Sequence, residues 1–244
     1  MTVALTLIAL TAACRPERTD QGIETTTSEG RLESPSGELA QSRGVSLVRM
    51  INALPENRTI SISADDHELF TDISHKGVST YIPLSDNVAS FRVRDSQRDT
   101  TIASDFKMLM DGSHYTIVTL PERGGGVRLH VMRDEVGADS TAARVRFVNG
   151  SVAAGRVDVT LDGRSGTLFD NVDVASETGF ETVVPTNAAL HVRTDAEARP
   201  LLSRSLKLAA GHSYTVILTG AVPDALDMLV VEDQLSVPSA VIVP

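Results

Sequence analysis

Serine and histidine stand side by side twice in this chain, each time directly ahead of a tyrosine. GSHYTIVTL runs from Gly112 to Leu120, and GHSYTVILT from Gly211 to Thr219. A Ser–His neighbour pair suggests a nucleophile and its base, and a tyrosine could add an acid. Adjacent side chains on an extended strand point to opposite faces, however, so Ser113 and His114, or His212 and Ser213, cannot bond to each other there. Their order also swaps between the copies. We read them as turn residues and assign no catalytic residue.

The other chemical candidates are sparser. The six histidines, at 67, 75, 114, 130, 191 and 212, form no HxxxH or HExxH pair, and Cys14 is the only cysteine, so zinc ligation finds no pattern. Gly124–Gly126 would cradle a phosphate only if a helix followed; VRLHVM follows, which reads as a hairpin arm. Asp158, Asp162, Asp170 and Asp173 could offer oxygens to calcium, although they lack the DxDxDG spacing. The first copy has only Asp65, Asp66 and Asp72 in the corresponding region, and a solvated acidic loop is the alternative. No cofactor is expected.

Composition narrows the partners. Lys+Arg number 22 against 32 Asp+Glu, a net charge of -10, which provides no positive field for a phosphate backbone and excludes nucleic acid. Aromatics are 4% with no Trp, so stacking platforms for bases or flat sugars are scarce and the core must be aliphatic.

The elements that position these residues begin after a processing segment. MTVALTLIALTAA, residues 1–13, is apolar, too short to span a bilayer, and ends in small residues before Cys14. The block Leu10-Thr11-Ala12-Ala13-Cys14 resembles the lipobox of bacterial lipoproteins. That resemblance implies cleavage before Cys14, acylation of its thiol, and a membrane anchor in the cell envelope. Arg15 at the next position leans toward the outer membrane or outer surface. Residues 14–44 are rich in Ser, Thr, Glu, Gly and Arg and read as a disordered tether.

From Val45 the texture becomes short runs of Val, Ile, Thr and Leu broken by Pro, Gly, Asn and Asp, which is the pattern of strands. The whole body is duplicated. Val48-Arg49 and Asn52 match Val145-Arg146 and Asn149 at a spacing of 97; Leu69-Phe70, Gly112, Tyr115 and Asp134 match Leu168-Phe169, Gly211, Tyr214 and Asp233 at 99. A two-residue insertion near Asp162-Gly163, a type I′ turn pair, accounts for the shift. Each copy holds seven or eight strands, the count of an immunoglobulin-like or fibronectin type III-like antiparallel sandwich. We therefore expect an all-β protein with module 1 over 45–136, module 2 over 143–235, each its own domain, and a tail over 236–244 whose VPSAVIVP could add an edge strand.

Within each copy, leucine, glycine and tyrosine keep one spacing: Leu109, Gly112 and Tyr115, then Leu208, Gly211 and Tyr214. This resembles the tyrosine corner of such sandwiches, with Gly permitting the turn and the Tyr hydroxyl satisfying a carbonyl upstream. The openings VRMIN and VRFVN and the LxxGxxYT closure resemble a bacterial envelope family, domain of unknown function 4397. The resemblance implies sandwich modules on exported, often lipid-anchored proteins and no established reaction. The expected function is non-catalytic binding or scaffolding, with an envelope protein or polysaccharide as partner. An enzyme or enzyme accessory acting on envelope polymers, and a calcium-stabilised adhesin, are the alternatives.

Overall fold

The computed structural model describes residues 45–55, 58–134, 141–194 and 199–233. The signal segment 1–13, Cys14, the tether 14–44 and the tail 236–244 lie outside the described residues. The first copy consists of β1 (Ser46–Asn52), β2 (Ile60–Ala64), β3 (His67–Ile73), β4 (Ile82–Leu84), β5 (Val88–Asp95), β6 (Thr100–Met108), β7 (His114–Pro121) and β8 (Val127–Asp134). The second consists of β9 (Ala143–Asn149), β10 (Val157–Leu161), β11 (Phe169–Val172), β12 (Ser176–Glu177), β13 (Glu181–Val183), β14 (Thr186–Arg193), β15 (Leu202–Leu208), β16 (Ser213–Thr219) and β17 (Asp227–Glu232).

Each copy is a two-sheet β-sandwich. Sheet orders are β4-β1-β7-β8 and β3-β2-β5-β6 in the first, and β12-β9-β16-β17 and β11-β10-β14-β15 in the second, with β13 also on β9. All pairings are antiparallel except β1 with β7 and β9 with β16, which run parallel, Val48 beside Tyr115 and Val145 beside Tyr214. The same order in both copies is what the 97-to-99 repeat encodes. The insertion lies where the spacing shifts: β2 and β3 are joined by Asp65-Asp66, whereas residues 162–168 join β10 to β11. Only Gly163 of the Asp162-Gly163 pair has positive φ (79°). The turn is therefore not type I′, which needs positive φ at both central residues.

Two kinds of strand make these sheets. In β5, Ala89, Phe91 and Val93 are buried while Val88, Arg92 and Arg94 are exposed, the alternation of a strand with one wet face. β16, SYTVILT, is buried along its whole length, and β1 and β9 share a pattern buried at all but one position. Such strands must be covered on both faces.

They are. One core lies inside the first sandwich, around Met50, Ile62, Phe91 and Ile117, and another inside the second, around Phe147, Val159, Leu190 and Val216. A third cluster, Ile51, Ala53, Val118, Leu120, Met132, Val148, Ala175, Ile217 and Val231, draws on both copies. Val48 and Met50 of β1 face the first core, while Ile51 faces the second copy. The sheets β4-β1-β7-β8 and β12-β9-β16-β17 thus pack back to back, and the described residues of both copies form one compact unit. Burying seven large apolar side chains of that cluster is worth on the order of 10 kcal/mol.

The repeated glycine and tyrosine occupy equivalent places. Gly112 and Gly211, with φ of 69° and 78°, turn the chain from β6 to β7 and from β15 to β16. Both Tyr rings join their own core. Each hydroxyl accepts from a backbone amide five residues upstream, Met110 N at 2.9 Å and Ala209 N at 3.2 Å, rather than donating to the carbonyl expected. Tyr115→Phe or Tyr214→Phe is expected to cost about 1 kcal/mol, the size of one hydrogen bond whose amide is only partly buried. Urea unfolding measures it, and no change in both variants would refute a stabilising role for the hydroxyls.

Candidate functional site

Charged residues in strands that are otherwise apolar mark the surface between the copies. Arg49 lies on β1 between Val48 and Met50, and Arg146 on β9 between Val145 and Phe147, all nearly or fully buried. Arg49 Nε donates to Thr116 Oγ1 at 2.8 Å, one guanidinium nitrogen pairs with the Asp233 carboxylate, and the other reaches Glu232 O at 3.2 Å. Arg146 repeats this in reverse: Nε donates to Thr215 Oγ1 at 2.8 Å, and the guanidinium reaches the Asp134 carboxylate and Arg133 O (3.0 Å). Thr116 donates to Asp134 and Thr215 to Asp233, both at 2.8 Å. Each copy thus supplies one arginine and one aspartate, and each pair crosses between copies. This is the reciprocity of an isologous interface, written within one chain.

Two guanidiniums and two carboxylates leave no net buried charge. Burial raises the Asp233 carboxyl above its ordinary value, and the Arg146 and Arg49 charges oppose that rise. The symmetry is broken by one hydroxyl. Tyr81, whose ring lies 4.8 Å from the Arg49 guanidinium carbon, donates to Asp134 at 2.7 Å. Phe180 lies the same 4.8 Å from Arg146, without a hydroxyl. Burial and then the Asp134 charge push the Tyr81 hydroxyl far above its usual range, so it is a hydrogen-bond donor and not a base.

Around this network the contact continues through more exposed pairs. Lys76 meets Asp227 at 2.5 Å and Arg123 meets Asp173 at 2.8 Å, each joining the two copies. The Lys76 ammonium holds Asp227 below its ordinary value. The Val174 amide does most to lower Asp173, with Arg123 and Arg156 assisting. Thr219 Oγ1 also donates to Ala53 O at 3.1 Å across the junction.

Concave space is modest. A cavity of about 200 Å³ straddles the junction, lined by Leu54, Pro55, Gly124–Gly126 and Val127 of the first copy and by Val152, Gly220 and Ala221 of the second. A wider one of about 520 Å³ opens between the β10–β11 loop, Asp162 to Ser165, and Thr182 to Thr186 of the second copy.

The residues singled out in the sequence scatter over this framework. Ser113 and His212 directly precede β7 and β16, while His114 and Ser213 begin those strands. The His114 ring meets Tyr81 edge-on at 5.3 Å, and His212 Nδ1 reaches Glu232 at 2.7 Å. The four calcium candidates do not converge. Asp158 accepts from Asn171 N, Asp162 contacts His191 Nε2, Asp170 accepts from Asn171 Nδ2, and Asp173 is taken by Arg123 and Arg156. Among the described residues no three His, Cys, Asp or Glu side chains could hold a metal ion. Gly124–Gly126 form the hairpin loop between β7 and β8.

Sequence reading missed one chain of groups, Ser203–His191–Asp162. His191 Nδ1 lies 2.7 Å from Ser203 Oγ and Nε2 lies 2.9 Å from Asp162. Ser203 pairs with His191 directly across β14–β15, a contact that only the register creates. The carboxylate that orients a catalytic histidine is buried, whereas Asp162 is 63% exposed, so we read a cross-strand hydrogen-bond chain. The larger omission was the meaning of Arg49, Arg146, Asp134 and Asp233, whose signal was a charge repeated inside strands apolar on both faces.

The model of the family described as Domain of unknown function (DUF4397) matches residues 46–160 and again 154–241. The chain belongs to this family. In this DUF4397 protein the repeated Arg and Asp form the docking face, and the repeated Asn and Tyr bond backbone groups within their own copy. No curated protein matches the chain. Among solved structures it is similar to CBMbc, a family CBM26 module of Eubacterium rectale Amy13K in complex with maltoheptaose. The two share 12% identity over 78% of this chain and 97% of that one, with a TM-score of 0.24. At that score nothing about ligands is carried over.

Proposed function

We propose that this chain is a lipid-anchored envelope protein whose docked repeats form one non-catalytic binding or scaffolding body, at the outer membrane or outer surface. The observation that carries the reading is the reciprocal Arg–Asp docking. It consumes the repeated charged groups in the interface and holds the loops of both copies in one fixed relation, including those around the junction cavity. A rigid body with partners on its loops and edge strands is what such an arrangement serves. The lipobox-like Leu10–Cys14 and the polar stretch 14–44 supply an anchor and a spacer that would hold the body off the membrane.

Two measurements test this. Cys14→Ser is expected to move the protein from the membrane fraction into the soluble fraction; unchanged membrane association would refute the anchor. Incubated with purified envelope polysaccharide or isolated envelope protein, the wild type is expected to be retained saturably without releasing fragments. Soluble products formed with turnover would establish the enzyme reading instead.

A further inference from the structure

The outer sheets of the two copies meet solvent with different chemistry. In the second copy, Leu190, Val192, Leu206 and Leu208 fill the core, so alternation turns Asn187, Ala189 and His191 of β14 and Ser203, Ser205 and Lys207 of β15 outward. Asn187 lies opposite Lys207, and Ala189 opposite Ser205. The same register in the first copy sets Val88 opposite Met108 and Ser90 opposite Phe106. Polar Asn187, Ser205 and Lys207 thus stand where the first copy has apolar Val88, Met108 and Phe106 facing solvent. The loop beside this face differs too, since residues 162–168 replace the two-residue turn Asp65-Asp66.

The result is a groove on the second copy. Above the small Ala189 lies a hollow of about 460 Å³, bordered by Asp162, Asn187, Ser205 and Lys207. Asp162 also borders the hollow of about 520 Å³ between the β10–β11 loop and Thr182 to Thr186, so the two adjoin at its side chain. Each is within the size range of small-ligand sites.

We propose that this groove binds an uncharged sugar chain, which rests on the binding function proposed above and gives it a place and a ligand class. One observation is a preset acceptor. His191 Nε2 lies 2.9 Å from Asp162 and Nδ1 lies 2.7 Å from Ser203 Oγ. Donation from Nε2 to the carboxylate leaves Nδ1 to accept the Ser203 hydroxyl, and the chain orients Asp162 while leaving it 63% exposed to a ligand. Another is a braced wall. Arg164 N donates to Leu161 O at 3.1 Å, and the Arg164 guanidinium reaches Thr182 O at 3.3 Å and Glu181 at 3.2 Å, tying the two sides of the larger hollow together.

Charge and polarity choose the ligand. Glu181 takes up the Arg164 charge, and the remaining Asp162 and Lys207 cancel, so the groove favours neither an anion nor a cation. Hydroxyls of Ser165, Thr182 and Ser205 and the Asn187 amide both donate and accept, beside apolar surface from Ala189, Pro185 and Val184, the last 81% exposed. A sugar ring offers the matching set, hydroxyls around its rim and C–H groups on its faces. No aromatic ring lines either hollow, so each sugar is held by hydrogen bonds alone and a repeating chain gains by presenting many equivalent units. A peptide adding as a strand needs a sheet edge, whereas this groove lies on a face.

Titration of the full-length protein with tetrasaccharides of glucose, mannose, galactose or N-acetylglucosamine, followed by amide NMR, tests the site. At least one is expected to give saturable shifts confined to residues 162–165, 182–189 and 203–207. Asn187→Val with Ser205→Phe and Lys207→Met installs the first copy's residues at exposed positions. This variant is expected to raise Kd at least tenfold at an unchanged urea midpoint. Shifts centred elsewhere, or a Kd equal to that of the wild type in the variant, overturn the groove assignment while leaving a sugar-binding protein. No shift with any of the four overturns the ligand class, and retention on envelope polysaccharide or envelope protein then decides the broader binding reading separately.

Discussion

Arg49→Ala is expected to lower the unfolding free energy of the chain by about 3 to 5 kcal/mol, the cost of removing one partner from a buried ion pair. The guanidinium is 4% exposed and the Asp233 carboxylate it meets is fully buried. Without Arg49, Asp233 keeps Thr215 and the more distant Arg146 nitrogen at 3.7 Å, which cannot replace a guanidinium in direct contact. Asp134→Ala, at the symmetric position, should cost a similar amount because it strands Arg146. Urea unfolding followed by circular dichroism reads the loss as a lower midpoint at unchanged slope. A loss below about 1 kcal/mol would mean that water enters the junction and the network is not sealed. Replacing all four charged groups with apolar ones of similar size should cost far less than either single change, because no charge is then left alone. The apolar cluster holds the repeats together; the ion pairs set which face docks, and in which register.

Asn149→Ala carries the second large effect, about 3 kcal/mol or more. Its side chain is completely buried and makes three bonds to backbone: Nδ2 donates to Gly155 O (2.7 Å) and Val172 O (3.1 Å), and Oδ1 accepts from Ser151 N (3.2 Å). It ties the end of β9 to the loop that follows and to the end of β11. Asn52 does the same in the first copy, donating to Arg58 O and Ile73 O and accepting from Leu54 N. Each buried backbone group left without a partner costs about 1 to 3 kcal/mol. Asn149→Asp should be at least as damaging, since a carboxylate cannot donate to either carbonyl. Both are measured by the same unfolding experiment, and Asn149→Ala within 1 kcal/mol of wild type would show that solvent can substitute for the amide.

The repeat itself needed no structure to be read. Leu109, Gly112 and Tyr115 recur as Leu208, Gly211 and Tyr214 because a turn of positive φ and a core-filling ring are local demands, met by residues three apart. Strand texture was legible for the same reason in β5, where burial alternates with a period of two. The docking face was recorded only as matched letters. YTIVTL and YTVILT lack polar alternation, and a run apolar on both faces reports that something covers it without naming what. Arg49 meets Asp233 across 184 positions, and no local spacing encodes that distance. The same limit concealed the Ser203–His191 contact, which depends on the β14–β15 register, and made the second copy's aspartates look like a cluster although Asn171, His191 and the Arg123–Arg156 pair divide them.

Composition and pattern alone thus determined an acidic, all-β chain of two equivalent sandwiches, because backbone hydrogen bonding and side-chain alternation act over a few residues. Tertiary structure decided that those sandwiches share a sealed face. Burial of Arg49 and Arg146 is tolerable only when Asp233 and Asp134 arrive from the other copy, and that condition is set by geometry between sheets rather than along the chain.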